Sequence, residues 1–464
     1  MMTIQILPHN TKHWCLKLAL ILIVGLLPLQ HSMASWPVQF GGTFDEEVID
    51  IAVDGDGNII VVGMFSGKSS FPKGEGVEPV EIESAGDKDI FVASYNSGGD
   101  VNWVRNVGGT GTDIVSAVVV DHQNAIYVSG NIGAGDAKFG LDKAVTPNTA
   151  SRGFHSKFFA SGSKAWAKTS LDNPQRDNNT DLALYTSVTT NSNQQQEFKS
   201  GLMASYTSFS QSWKGYINAI ESDGSGDLKK FLANTNSRQE AARIAAASST
   251  EAYVLGSIGG IYQNGVSPED AKWCDTTIES GGPSYPWYSW QFISKYEKTD
   301  SGWACKWLKK VDTIEYRGDI VTDSAGDVYY SSAGLIKRLN SSNGAESILG
   351  EVSDRSLILK PSKYLDRKMV HVSTDRGGLV VDDEQNVYIS GVYIGAPTFE
   401  DLDDSQQLRA VTTPSIFVAK LSANEQSAEG INWKWATTTS VGDGDNILEQ
   451  KNARIGLSAS GNTV

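Results

Sequence analysis

The sequence predicts an all-β protein, a β-propeller of four-stranded blades, and three observations carry that expectation. A hairpin pattern recurs along the chain: an apolar strand, a tight polar turn and a β-branched strand that closes on glycine. A second pattern alternates with it, an apolar strand followed by a polar turn and an aromatic residue. Glycine outnumbers proline 46 to 13, which suits many tight turns better than long helices.

The hairpin is clearest at Ile49–Gly63, where Asp54-Gly55-Asp56-Gly57-Asn58 supplies the turn. Asp-Gly and Gly-Asn steps tolerate the positive φ that such turns require. It returns at Ala117–Gly130, at Asp319–Tyr330 and at Leu379–Gly391. A degenerate copy pairs Leu182–Val188 with Glu197–Gly201, and another pairs Ala242–Ala247 with Tyr253–Gly256. Gly63, Gly130, Gly201, Gly256 and Gly391 are expected to end their strands where another backbone passes closely.

The alternating pattern runs from Ile90–Tyr95 to Trp103, from Phe154–Phe158 to Trp166, and from Tyr216–Ile220 to Phe231. It continues from Phe292–Tyr296 to Trp307, weakens at Leu335–Leu339, and ends with Ile416–Leu421 before Trp433 and Trp435. The aromatic marks from Trp36 onward fall 67, 63, 65 and 76 residues apart, then 128 to Trp435. That is a repeat of about 65 residues with one faded mark, and four strands per unit is the signature of a propeller blade.

The expected blades are residues 44–107, 113–170, 180–233, 240–311, 317–350 and 370–437. A partial blade at 450–464 is expected to be closed by residues 36–40, giving seven blades with the last incomplete in this chain.

Residues 1–34 read as a signal peptide and 35–464 as the propeller. Lys12 and Lys17 flank an apolar run from Leu18 to Leu27, too short to span a bilayer, and Ser32-Met33-Ala34 offers the small residues of a cleavage site. Residues 1–34 hold two Lys and no acid, so the remainder carries 37 basic against 54 acidic residues, a formal charge of −17. Nucleic acid and anionic membranes demand a basic face, so the expectation is a secreted, cell-surface or periplasmic monomer with no membrane span after cleavage. Cys274 and Cys305 are the two cysteines left, and in an exported chain they are expected to form one disulfide.

The motif W-x3-F-G-G at Trp36–Gly42, the hairpin I-A-V-D-x-D-G-N-x-x-V-x-G and D-x-F-V-A at Asp89–Ala93 together resemble the bacterial beta-propeller repeat family, SBBP. V-G-G-T-G-T-D at Val107–Asp113 echoes them. The resemblance covers nearly the whole mature chain and departs most in the fifth unit, which has Ser331-Ser332 where the others place glycine. It implies a non-catalytic interaction or structural module at or outside the cell surface.

Candidate chemistry is sparse. Asp54, Asp56 and Asn58 alternate as calcium ligands do, but no Glu follows at the twelfth loop position and other units lack the set, so a hairpin turn is the better reading. No Gly-x-Ser-x-Gly elbow or His-Glu-x-x-His motif occurs, and no catalytic residue or cofactor is assigned. The suggestive feature is an aromatic-rich insertion in the fourth unit, with Trp273, Tyr285, Trp287, Tyr288 and Trp290 as a platform for a protein or glycan tied down by Cys274 and Cys305. The opposing reading packs these rings at the outer edge of the blade. Competing functions are a carbohydrate-active lyase or hydrolase at the mouth of the ring, and the N-terminal part of a larger adhesin. An enzyme would need ionisable groups converging on the axis from several blades.

Overall fold

The computed structural model describes residues 40–456 except 43, 75, 134, 141–144, 149–151, 170–176, 191–195, 209–213, 226–229, 232–237, 260–270, 275, 279–288, 312–318, 333–334, 343, 354–370, 374–377, 396–397, 400–401, 403–407, 409–410, 423–432 and 439–454. The described residues are all-β, with antiparallel sheets following one another along the chain. Six of these sheets are built on a meander of strands a, b, c and d in that order, and a three-stranded sheet and a two-stranded hairpin stand beside them.

The first sheet consists of Glu46–Val53, Ile59–Phe65, Asp89–Tyr95 and Val101–Gly108. The second is Ile114–Val120, Ile126–Ile132, Arg152–Phe158 and Lys164–Thr169. Asp177–Thr190, Gln196–Ser208, Lys214–Glu221 and Lys230–Phe231 form the third. The fourth is Arg238–Ser248, Glu251–Gly259, Ser289–Thr299 and Gly302–Val311. Ile320–Thr322, Val328–Ser332, Leu335–Leu339 and Glu346–Ser353 make the fifth. In the sixth, His371–Ser373 and Leu379–Val381 both pair with Asn386–Gly395, which leads to Val411–Ser422 and Trp433–Thr438.

Strands b and c are apolar on both faces because the first to fifth sheets are covered on both sides. Ile60 and Val62 of the first sheet pack with Val118 and Val128 of the second, while Ile59 and Val61 face the other way with Phe40 and Phe71. Further cores join second to third through Tyr127 and Leu182, third to fourth through Tyr185 and Phe292, fourth to fifth through Ile293 and Tyr330, and fifth to sixth through Tyr329 and Phe417. The core is therefore a series of intersheet layers, and no sheet buries its apolar faces alone.

Strand a of each sheet touches strand a of the next, from the first to the sixth. The segment Ile455–Gly456 lies between the two ends of this series. A Cβ on Gly378, just before strand a of the sixth sheet, would meet Ile455 N at 2.9 Å. One on Gly456 would come within 3.2 Å of Val53 Cγ2 in strand a of the first.

Connections between b and c reach backward. Lys138 and Phe139 pair with Gly108 and Val107, and Thr398–Phe399 pairs with strand d of the fifth sheet. Ser69 and Ser70, between b and c of the first sheet, pair in the same way with Gly42 and Gly41.

The strand b glycines answer to bulges. Strand a of the first sheet bulges between Val48 and Asp50 opposite Gly63, and that of the second between Val115 and Ala117 opposite Gly130. A Cβ on Gly63 would lie 2.2 Å from the Glu47 carbonyl oxygen, and one on Gly130 would lie 2.1 Å from that of Ile114. Neither glycine ends its strand; each precedes the end by two residues. Gly201 departs further from expectation, because it sits inside a long strand opposite Tyr185.

Candidate functional site

Four ionisable side chains, Asp50, Asp181, Arg243 and Asp319, act on one another along the seam of strands a. The residue after each bulge is re-aimed by the extra backbone unit, toward the neighbouring strand a. These residues are Asp50, Ala117, Asp181 and Arg243 in the first four sheets. Asp319 leads into strand a of the fifth sheet, which pairs without a shift, and Gly378 stands at the corresponding place before the sixth.

Three aspartates do the same thing at alternate junctions. Asp50 Oδ2 accepts the Val118 N–H at 2.9 Å, Asp181 Oδ2 accepts that of Ile244 at 2.9 Å, and Asp319 Oδ2 accepts that of Leu379 at 3.0 Å. Each carboxylate therefore clips its own sheet to the strand a that follows. Asp319 Oδ1 also accepts the Ile320 N–H at 3.0 Å and faces Arg243 Nε at 3.7 Å.

Burial pushes the Asp181 carboxyl up to about 7, against the pull of Arg243 and with the repulsion of Asp319 and Asp50. By exposed area Asp181 is only half-buried, although protein atoms crowd its carboxyl. The carboxyl is thus crowded by protein without being sealed from solvent, so its charge is screened less than in bulk water. The arrangement can hold strands together and exchange a proton near neutral pH.

This seam was missed by reasoning from sequence. Its one local signal is the spacing Asp-x3-Asp at Asp50/Asp54 and at Asp319/Asp323, which becomes visible once the hairpin turns are aligned.

At Asp54, Asp56 and Asn58 the structure brings the three side chains together as a turn. Asp54 Oδ1 accepts the Asp56 and Asn58 N–H groups at 2.9 and 2.8 Å, and Oδ2 accepts Asn58 Nδ2 at 2.8 Å. Asp56 Oδ2 accepts Asn124 Nδ2, and Asn58 Oδ1 accepts Asn102 Nδ2. Oxygens met by N–H donors are doing the work of turn capping rather than presenting a shell to a cation. Asp121, Asp323 and Asp382 cap their turns likewise, each also accepting a tyrosine hydroxyl from strand b. Among the described residues no group of three or more His, Cys, Asp or Glu could hold a metal ion.

Cys274 and Cys305 form a disulfide with Cα atoms 5.1 Å apart. It joins the fourth sheet's b–c insertion to strand d and packs on a core containing Phe292, Tyr296 and Trp303. Trp273 ends the short strand Ala271–Trp273 of a hairpin with Thr276–Ile278, and Trp290 pairs with Ile258 in strand c. Tyr285, Trp287 and Tyr288 lie outside the described residues.

No family model matches the chain. Over 107 residues it is 26% identical to an uncharacterized WD repeat-containing protein of Acanthamoeba polyphaga mimivirus, an alignment covering 23% of this chain and 8% of that protein. Among solved structures it is similar to a gluconolactonase from Xanthomonas campestris, with a TM-score of 0.31 and 12% identity over 76% of this chain and 95% of that one. TcdA4 of Morganella morganii is similar with a TM-score of 0.21 and 11% identity, over 88% of this chain and 23% of that one. Likeness at these scores carries no argument about fold or activity, which rest on the sheets themselves.

Proposed function

We propose that the chain is an exported seven-bladed β-propeller that serves as a non-catalytic interaction module for a protein or glycan at or beyond the cell surface. The observation that carries this reading is the commitment of the seam's three aspartates to backbone N–H groups of neighbouring strands. Groups so engaged hold a scaffold together, and a scaffold presents its function on loops.

The seventh blade position is supported from both sides. Gly41–Gly42 is gripped by a b–c connection as strand d of the first sheet is, and Ile455–Gly456 runs beside the inner strands. The SBBP-like motifs at Trp36–Gly42 and Asp89–Ala93 favour the same family, and the apolar leader and the disulfide favour export.

The binding surface we assign is the disulfide-anchored insertion, with Trp273, Tyr285, Trp287, Tyr288 and Trp290 as its aromatic contacts. A glycan array and a pull-down from the native medium test it by comparing wild type with the Trp287→Ala/Trp290→Ala double variant. Loss of captured ligand at unchanged thermal stability is the expected result. Equal capture by both proteins removes the insertion from consideration.

A second reading, a carbohydrate-active enzyme at the axis, has one observation in its favour: Asp181, raised to about 7, lies close to Arg243. Such a group could move a proton. Glycan turnover by wild type that disappears in Asp181→Asn would replace the interaction reading with this one.

A further inference from the structure

The second, fourth and sixth sheets carry the same row of side chains across strands b, c and d. In the second it is Tyr127, Lys157 and Trp166, which stand opposite one another in register. In the fourth it is Tyr253, Lys295 and Trp307, and in the sixth Tyr388, Lys420 and Trp435. The geometry is alike each time. Lys157, Lys295 and Lys420 place Nζ 4.9, 5.7 and 4.9 Å from the centroid of the tyrosine ring. The tyrosine and tryptophan centroids are 6.2, 5.9 and 6.3 Å apart.

In two of these sheets the row is capped by the c–d turn of the next sheet. Lys157 Nζ and Trp166 Nε1 donate to the Ser222 carbonyl at 3.5 and 3.1 Å, and Lys295 Nζ donates to that of Ser341 at 2.9 Å. Each turn also sets a glycine of positive φ over the tryptophan. A Cβ on Gly224 would lie 3.0 Å from the Trp166 ring, and one on Gly344 would lie 3.7 Å from that of Trp307. In the sixth sheet the row has no such cap. Among the described residues Lys420 Nζ has only the Tyr388 ring, and Trp435 Nε1 has no acceptor.

A second observation comes from strand c itself. Two residues before the position of the lysine, on the face toward the next sheet, Val92, His155, Ile217, Ile293 and Ile336 are at most 6% exposed. Their counterpart Val418 is half-buried, as is Ile416 before it. Phe417 and Ala419 point the other way, into the core shared with the fifth sheet, so Val418 lies on the outward face. That face is apolar, half open and flanked by two unspent donors.

We infer that it is a docking site for a β-hairpin of a partner protein, whose tight turn presents a carbonyl to Lys420 and Trp435 and a left-handed glycine to the indole. The covered rows specify this occupant. A side chain at the glycine would press on the ring, and an acidic turn residue, as Asp223 is over Trp166, suits a lysine without an ion pair. The inference rests on the reading of the chain as an interaction module, but it uses a different sheet from the disulfide-anchored insertion. Equal capture by the Trp287→Ala/Trp290→Ala variant would therefore leave it standing.

The test uses the full chain and a backbone-cyclised peptide of residues 214–231, the hairpin that covers Trp166, with its Gly224→Val form as control. Acylation of lysines by an N-hydroxysuccinimide ester, followed by mass spectrometry, reads the site. In the free chain Lys420 should react on the order of tenfold faster than Lys157, whose Nζ is engaged. The cyclic peptide should slow Lys420 to the rate of Lys157, and the valine form should not. Calorimetry should give one peptide per chain, weakened on the order of tenfold by Lys420→Met and by Trp435→Ala. Trp435→Phe keeps the ring and loses the donor; it should weaken binding by a smaller factor and stands in if the alanine variant folds poorly.

Lys420 reacting as slowly as Lys157 in the free chain would overturn the inference, because residues of this chain would then already fill the site. Failure of the cyclic peptide to protect Lys420 would overturn it too, as would equal protection by the valine form.

Discussion

The inner and outer edges of the sheet junctions solve one problem with different chemistry. At the inner edge an aspartate reaches a backbone N–H, and it does so where the first, third and fifth sheets meet their successors. At the outer edge, side chains of strand d reach the c–d turn of the next sheet. Trp103 Nε1 donates to the Ala160 carbonyl at 2.8 Å and Arg105 Nε to that of Gly162 at 2.8 Å. Trp166 Nε1 donates to Ser222 at 3.1 Å, Lys168 Nζ to Gly224, and Lys309 Nζ to Gly344 at 3.2 Å.

The two devices are distributed unevenly. Among the described residues the first junction has both, the second has the outer latch but Ala117 where a carboxylate would accept, and the third keeps its aspartate but has Phe231 where the latch would need tryptophan. The lesson is that each junction needs its apolar layer plus at least one directional tie, and that either edge can supply it. The inner tie depends on a carboxylate and is therefore sensitive to pH. The outer one depends on neutral or cationic donors and is not sensitive in the same range.

The largest way to break the contrast is to deny the inner edge its bulge. Gly130→Val would push a side chain into the Ile114 carbonyl oxygen, 2.1 Å from the Cβ position, and toward Phe154 Cε1 at 3.0 Å. Backbone cannot yield as a flexible side chain would, so we expect a loss of about 3 kcal/mol in urea unfolding. A loss below about 1 kcal/mol would mean the strand can pair without the bulge.

Next in size is the pH response. Asp181 holds its proton more tightly when folded, with a value of about 7 against 3.8 for the free group. Between those values the folded chain binds more protons than the unfolded one, so this group makes stability fall as pH rises from about 4 to about 7. Asp181→Asn keeps an acceptor for Ile244 N–H and removes the titration. Melting temperatures measured across that window should decline less steeply in the variant than in wild type. Parallel curves would show that solvent screens Asp181 as fully as it does a free carboxylate.

Local rules made the sheets legible in the sequence and left the junctions obscure. Ile59–Val62 and Ile90–Ala93 announce strands because β-branched and small apolar residues suit a pleated surface covered on both faces. The Asp54–Asn58 turn was readable for the same reason: its hydrogen bonds are made within five residues. In the sequence Asp50 is one polar interruption in an apolar strand, because its partner, Val118, is a whole repeat away. Gly201 shows the limit from the other side. It matches the pattern of Gly63, yet the third hairpin runs to Ser208, and register there is set by its long pairing with Asp177–Thr190 rather than by one glycine. The disulfide was legible because two cysteines allow one pairing, whereas the insertion it anchors has no repeat to be compared with.

The smallest effect expected is at the outer latch. Trp166→Phe keeps a ring over the turn at Gly224 but removes the donor to the Ser222 carbonyl. Lys157 Nζ and Lys168 Nζ reach carbonyls of the same turn, from Ser222 and Gly224, so the turn keeps other ties. A single neutral hydrogen bond contributes about 1 kcal/mol, and with neighbours in place the global loss should not exceed that. The change should be seen locally instead, as faster amide exchange at Gly224, whose N–H is bonded to the Glu221 carbonyl within that turn. Because Ala117 leaves this junction without an inner clip, the same change at Trp103, where Asp50 still holds Val118, should speed exchange less. Equal acceleration at both junctions would show that the two edges act independently, and that the outer latch does not stand in for a missing clip.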